Sequence, residues 1–355
     1  MDNSEFKTTY RKSVSRKVTF TIICIVVAFI AVGLQLSFGY YDVSFLESYQ
    51  ILWDHICGNI PTTDIGIKRD HIIWDLRLPR SIAGMAVGAG LGVCGAAMQS
   101  TLKNPLADPY TTGISAGAGL GATISIVLGI CILPGITGQL SIVIDAFVFA
   151  LIPSIVIIAF SSLKRRVTPS MMILIGIAVM YVFTAMTTLI KLTASDDSLA
   201  DVYMWSVGTL GKSNWDNVWF LIIAAVLGIA VFCYFAKKIN VMITSDACAK
   251  SLGVDPKRCR LFILVVTSIV TALLVSFTGT IGFVGLVAPH MVRILVGSDN
   301  RYLIPASAAF GAMMLVCSDV LARNIGTGLP VGVITACVGG PIFLYLLIRQ
   351  RKSAW

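Results

Sequence analysis

The chain has 355 residues, 56% of them hydrophobic and 13% charged, with a net charge of +9 and a mean hydropathy of +0.86. A soluble domain carries roughly 25% charged residues, so the composition excludes an ordinary soluble fold and leaves no room for a large soluble domain. The positive balance does not point to nucleic acid, because the basic residues gather at the ends of apolar runs, the pattern of membrane orientation.

Runs long enough to cross about 30 Å of hydrocarbon are predicted at 18–39, 80–101, 111–133, 139–161, 170–191, 217–236, 260–278, 281–297, 303–322 and 330–348. The expected fold is an all-α polytopic membrane protein of about ten transmembrane helices. Residues 1–17 form a cytoplasmic tail, 18–348 the transmembrane domain and 349–355 a second cytoplasmic tail. The first run is longer than the roughly 7–15 residues of a signal-peptide core and lacks a clear small-residue cleavage site, so it reads as a retained span. Lys7, Arg11, Lys12, Arg16 and Lys17 precede it, and Lys164, Arg165 and Arg166 follow the fourth span. Lys237, Lys238, Lys250, Lys257, Arg258 and Arg260 follow the sixth. This bias supports an even span count with both termini inside.

After the first span, residues 40–75 mix polar and aromatic side chains and are expected to pack on the outer surface as short helices and loop. The second span follows Arg77 and Arg80 and carries Gly84, Gly88 and Gly92 at four-residue spacing, with Gly95 close by. Glycines on one helical face let a second backbone approach closely inside lipid. An Asn-Pro turn, Asn104–Pro105, ends the segment.

Further on, Trp205–Ser213 looks like a phosphate-binding loop, but Ser206 stands where its first glycine is required and no strand precedes it. A short re-entrant or surface helix with a glycine-rich turn fits better. Between the sixth and seventh spans lies a cytoplasmic loop, 237–260, whose middle reads as a short helix. Ser245 or Asp246 caps it, Gly253 ends it and Pro256 prevents continuation. Such a helix, with apolar and basic groups, suits either a solvated connector or a docking surface for a cytoplasmic partner.

In Gly279–Arg293 the glycines and Pro289 are expected to break or kink the span, which at membrane depth requires protein or water to satisfy the backbone. Asp319 and Arg323, at i and i+4, can pair on the ninth span. The nine cysteines are scattered without a C-x-x-C pair and read as apolar fillers. His55, His71 and His290 are too dispersed for a metal cluster, so no metal or cofactor is expected.

Several motifs together resemble the permease subunits of ATP-binding cassette importers for iron-siderophores, haem and cobalamin, over nearly the whole chain. They are R-L-P-R (77–80), G-x-x-M-Q (95–99), N-P-L-A-D-P (104–109), W-S-V-G-T-L-G (205–211) and A-x-x-L-G-V (249–254). The remainder are G-F-V-G-L-V-A-P-H-M-V-R (282–293), S-D-V-L-A-R (318–323), L-P-V-G-V-I-T-A (329–336) and G-G-P-I-F (339–343).

The resemblance implies two permeases, identical or homologous, enclosing the pathway at their interface. Two cytoplasmic ATPase subunits and an extracytoplasmic solute-binding protein complete such systems. It places binding-protein docking at Arg77, Arg80 and Arg323, a role that suits arginine because its guanidinium holds a carboxylate bidentately. A cytoplasmic gate maps to Asn104 and Leu106, with Thr168 and Ser170 the nearest matches on the second turn. Coupling to the ATPases maps to Ser245, Asp246, Ala249, Leu252, Gly253 and Val254. The chain itself is expected to carry out no bond chemistry. The cargo expected is a metal chelate, a ferric siderophore first and haem or cobalamin as the alternative. A secondary transporter would instead show functional acids or bases within its spans or paired interrupted helices in inverted repeats.

Overall fold

A computed structural model describes residues 3–349 except 40, 42, 60, 164–167, 326 and 327. In lipid the backbone has only itself to bond with, so apolar spans must be helical. The chain opens with α1 (Asn3–Ser37), α2 (Phe45–Ile56) and α3 (Asp64–His71), which runs on through a π-helical stretch, Ile72–Arg77, into α4 (Leu78–Leu102). A single 3₁₀ turn, Pro109–Thr112, leads to α5 (Ile114–Thr123), which is extended by a π-helical Ile124–Leu128. Then come α6 (Gln139–Leu163), α7 (Pro169–Lys191), α8 (Asp196–Val207), α9 (Trp215–Ile243) and α10 (Asp246–Ser251). The last four are α11 (Pro256–Thr278), α12 (Val284–Val296), α13 (Asn300–Asn324) and α14 (Val331–Arg349).

Among the described residues seven helices are long and apolar enough to cross a membrane: α1, the joined run 64–102, α6, α7, α9, α11 and α13. Three shorter apolar helices, Ile114–Leu128, Val284–Val296 and Val331–Leu346, occupy the other predicted spans. The shortness has local causes. Gly129 is left-handed (φ 65°) and ends the third span before its predicted limit at 133. The eighth begins only at Val284, because Gly279 (φ 70°) and Phe283 (φ 68°) break the chain after α11. Pro289, by contrast, sits inside an unbroken α12.

The break lies deep in the protein, and its backbone is satisfied from other elements. Thr209 N–H donates to the Thr278 carbonyl (2.8 Å) and Ile281 N–H donates to the Tyr110 hydroxyl (3.2 Å), while the adjoining turn after α8 is held by Gly332 N–H donating to the Gly208 carbonyl (3.2 Å). The Thr280 hydroxyl donates to the Ser206 carbonyl. The glycine-rich stretch after α8 is therefore a packing turn.

α4 is the hub, almost wholly buried, and it packs against α13, α9, α12 and α11. Its glycines make this possible. A Cβ on Gly88 would overlap the carbonyl of Gly311, one on Gly92 the carbonyl of Ser307, and one on Gly95 the carbonyl of Gly285. Gly84 is less tight, with Leu210 and Val316 side chains 3.2 and 3.3 Å from the same point. α7 is the least covered span and lies at the periphery.

The N-terminal tail has regular structure, and one boundary differs from expectation. The predicted tail 1–17 is helical from Asn3 and continues α1, with Lys17 Nζ 4.9 Å over the Tyr302 ring. α9 runs to Ile243, past the predicted limit at 236. Lys164, Arg165 and Arg166 lie outside the described residues, as does the C-terminal tail beyond Arg349.

Candidate functional sites

The last turn of α1 leaves carbonyls without helical donors and carries the negative end of the helix dipole. Two arginines fill it. Arg77 Nη1 donates to the carbonyls of Leu36 and Ser37 (3.0 Å to Ser37), and its Nη2 donates to that of Tyr41. Arg323 Nη1 donates to the Gln35 carbonyl (2.9 Å). Arg80 takes a different partner, Asp319 on α13, through a bidentate contact of 2.8 and 2.6 Å. Gln35 Nε2 also donates to Asp319, whose side chain is 0% exposed. The three arginines sequence reasoning had grouped are thus brought together around one helix end.

One expectation needs correction here. Asp319 is paired with Arg80 across α4 and α13 rather than with Arg323 at i+4, because the α4 side chain reaches both carboxylate oxygens. Arg77 is 3% exposed, its guanidinium held by carbonyls at and just after the end of α1, whereas Arg80 and Arg323 are half-buried. Around this cluster, α2 and α3 are pinned by His55 Nδ1 to Asp70 (2.9 Å) and by the Arg69–Glu47 pair.

At the opposite face, α10 is tied to two spans through one carboxylate. Arg260, 4% exposed at the start of α11, donates to both oxygens of Asp246 (3.0 and 2.6 Å). Lys103, a left-handed residue (φ 52°) just past α4, donates to the Thr244 carbonyl and reaches Asp246 Oδ1 at 3.4 Å. The Asp246 carboxyl is consequently held below the ordinary carboxylate range, first by the hydrogen bonds from Arg260 and then by those from Lys103. The Ser245 hydroxyl caps the helix by accepting from Cys248 N–H (3.2 Å). At its other end Gly253 is left-handed (φ 78°), its N–H donates to the Lys250 carbonyl (3.0 Å), and Val254 N–H donates to the Ala249 carbonyl (2.9 Å). Ala249 faces inward, while Leu252 stands 61% exposed. The cap signals were legible in the sequence. Arg260 and Lys103 were not assigned there, since both read as charges that merely orient the membrane.

On the same face a second polar network ties α4, α9, α12 and α13. The Ser100 hydroxyl donates to Asn300 Oδ1 (2.8 Å) and accepts from Arg293 Nη2 (3.3 Å), while Asn300 Nδ2 donates to Asn240 Oδ1 (2.9 Å). Asn240 Nδ2 donates to Asp299 (2.7 Å). Arg301 and then Asn240 hold the Asp299 carboxyl down at about 2. Interhelical bonds of this kind contribute about 0.6 kcal/mol each in lipid, rarely beyond about 1.7.

The expected gate residues lie in two turns. Asn104 Oδ1 accepts from Leu106 N–H (2.9 Å), which folds the turn and leaves Leu106 exposed. Thr168 caps α7 by accepting from Met171 N–H (3.3 Å), with Ser170 exposed in the first turn. Among the described residues no hydrogen bond joins the two turns.

Seven long and three shorter apolar helices among the described residues, packed around a glycine-rich hub, have the architecture of a polytopic membrane protein. The chain belongs to the FecCD transport family of ATP-binding cassette importer permeases, whose model matches residues 23–349. It is 38% identical over 346 residues to the Fe(3+)-citrate import system permease YfmD of Bacillus subtilis, covering 96% of this chain and 98% of that one. Similarity to the cobalamin import permease BtuC of Halobacterium salinarum is 39% over 281 residues, or 79% of this chain and 74% of that protein. The hemin transport permease HmuU of Yersinia pestis is 34% identical over 312 residues, 86% and 89% of the two chains. Among solved structures, a metal-chelate type ABC transporter in an inward-facing conformation superposes with a TM-score of 0.81 at 25% identity. It covers 94% of this chain and 99% of that one.

Proposed function

We propose that the chain is the membrane permease of an ATP-driven importer of metal chelates, with a ferric siderophore as its cargo. The observation that carries the reading is the strapped helix α10. Asp246 joins it to α4 through Lys103 and to α11 through Arg260, so a push on α10 moves two spans as rigid bodies. That is the arrangement a cytoplasmic ATPase needs if its closure is to open a path. The exposed Leu252 is then the apolar contact offered to the cassette, and the α10 face is cytoplasmic.

Two copies, or this chain and a homologous permease, enclose the pathway, with Asn104, Leu106, Thr168 and Ser170 at its cytoplasmic gate. At the outer face Arg80 and Arg323 receive carboxylates of a solute-binding protein, and Arg77 holds the α1 end on which they sit. The ferric cargo draws support from the iron-citrate relative that aligns end to end. Haem or cobalamin is the second reading, favoured by the relatives named for those ligands. Uptake of ferric citrate, a ferric hydroxamate, haemin and cyanocobalamin by the reconstituted complex with its binding protein separates them. Accumulation of an iron chelate is expected; accumulation of haemin or cobalamin alone would overturn the siderophore assignment.

A further inference from the structure

Where α1 enters the membrane it changes character within two turns. Arg11, Lys12, Arg16 and Lys17 are followed by Val18 and a long uncharged, mostly apolar run, and residues 6–41 contain no acid. A cavity of about 460 Å³ opens at this transition, lined by Tyr10, Arg11, Val14, Ser15, Val18 and Tyr302 among others. The lining residues of α1 recur at helical spacing, so they form one face with a polar upper half and an apolar lower half.

Tyr10 and Tyr302 bring two phenol side chains to the cavity wall. Lys17 and Arg301 lie over or beside the Tyr302 ring, at 4.9 and 5.8 Å. The nearby acid, Asp299, is already taken by Arg301 (2.6 Å) and Asn240 (2.7 Å). Below the cavity an exposed stripe of Val18, Ile22, Ile25 and Phe29 continues along α1 into the membrane.

We propose that this cavity is a binding site for one anionic phospholipid. Its phosphate is received by Arg11 with the Ser15 and tyrosine hydroxyls, and an acyl chain lies along the Val18–Phe29 stripe. Charge selects the ligand: among the described residues the lining offers cationic and hydroxyl donors and no carboxylate, at the point where α1 turns from basic to apolar. A zwitterionic headgroup would bring its own cation into this field and lose the advantage. The apolar half selects lipid over a free phosphate, because a small anion leaves the stripe uncovered.

The test is native mass spectrometry of the full-length protein in detergent, titrated separately with phosphatidylglycerol, phosphatidylcholine and inorganic phosphate. Phosphatidylglycerol should bind at least about fivefold more tightly than phosphatidylcholine, since one cation at a membrane surface is worth about 1 kcal/mol. Arg11→Gln should remove that preference. Lys12→Gln, the same charge change on the same helix outside the cavity, should retain it. Thermal unfolding of each variant without lipid confirms that the fold is intact. Equal binding of the two lipids, an equal loss in both variants, or binding of inorganic phosphate as tight as that of phosphatidylglycerol would overturn the proposal.

Discussion

Asp319 shows what one buried side chain decides. Its carboxylate is fully enclosed, and Arg80 and Gln35 complete it. Taking a carboxylate out of water costs several kcal/mol, and removing its cation leaves that cost uncompensated. Arg80→Ala should therefore destabilise the protein by about 3–5 kcal/mol, read as a lowered unfolding temperature of the purified chain. Arg80→Met combined with Asp319→Leu should recover much of the loss, because replacing a whole buried pair with apolar groups is often neutral. An Arg80→Ala protein as stable as the parent would show that the pair is solvated. The sequence spacing favoured Arg323 as the partner because i, i+4 neighbours on a helix are visible locally. The actual partner lies 239 residues away on α4, and nothing in the local pattern of either helix encodes that. Arg77 escaped for the same reason: its direction is set by the carbonyls of Leu36, Ser37 and Tyr41.

The elements follow more closely from local signals. Gly88 and Gly92 lie against the backbone of α13, as small residues at four-residue spacing must if two helices are to touch in lipid. Gly88→Ala puts a methyl into the Gly311 carbonyl, and α4 and α13 must separate. Overpacking of this kind costs about 1–3 kcal/mol, so the variant should unfold at lower temperature. Gly119→Ala, with nothing within 4 Å of its added carbon, should match the parent. Equal stability of both would mean the two helices are not in backbone contact. The bounds of α10 were equally legible, since a serine cap and a left-handed glycine are short-range features. If α10 is the coupling helix, Leu252→Asp charges its exposed contact. Gly253→Val forces a β-branched residue into a left-handed conformation it avoids. Both should lower uptake while ligand delivery at the arginine face persists, measured as transport per ATP hydrolysed at equal amounts of assembled complex. Parental ratios in both variants would make this segment a plain tether. The glycines signalled the break at 279–283, but no local pattern tells what satisfies it. The partners that hold it are distant in sequence: the Tyr110 hydroxyl and Thr209 N–H bond the backbone around the break, and the Thr280 side chain bonds the Ser206 carbonyl.

At the scale of the whole molecule, the two faces are built differently. One gathers arginines around the end of α1, and the other straps a short helix to α4 and α11. Between them the ten segments hold together through glycine contacts and a few buried polar networks. The central claim is that movement is driven by cassettes bound at α10 and not by an ion gradient through the chain. The most direct measurement is uptake of a ferric chelate into proteoliposomes holding the complete complex and its binding protein. ATP and a proton gradient are supplied in turn. The account predicts accumulation with ATP and binding protein, none with the gradient alone, and none when the cassettes are omitted. Gradient-driven accumulation by the permease without cassettes would contradict it.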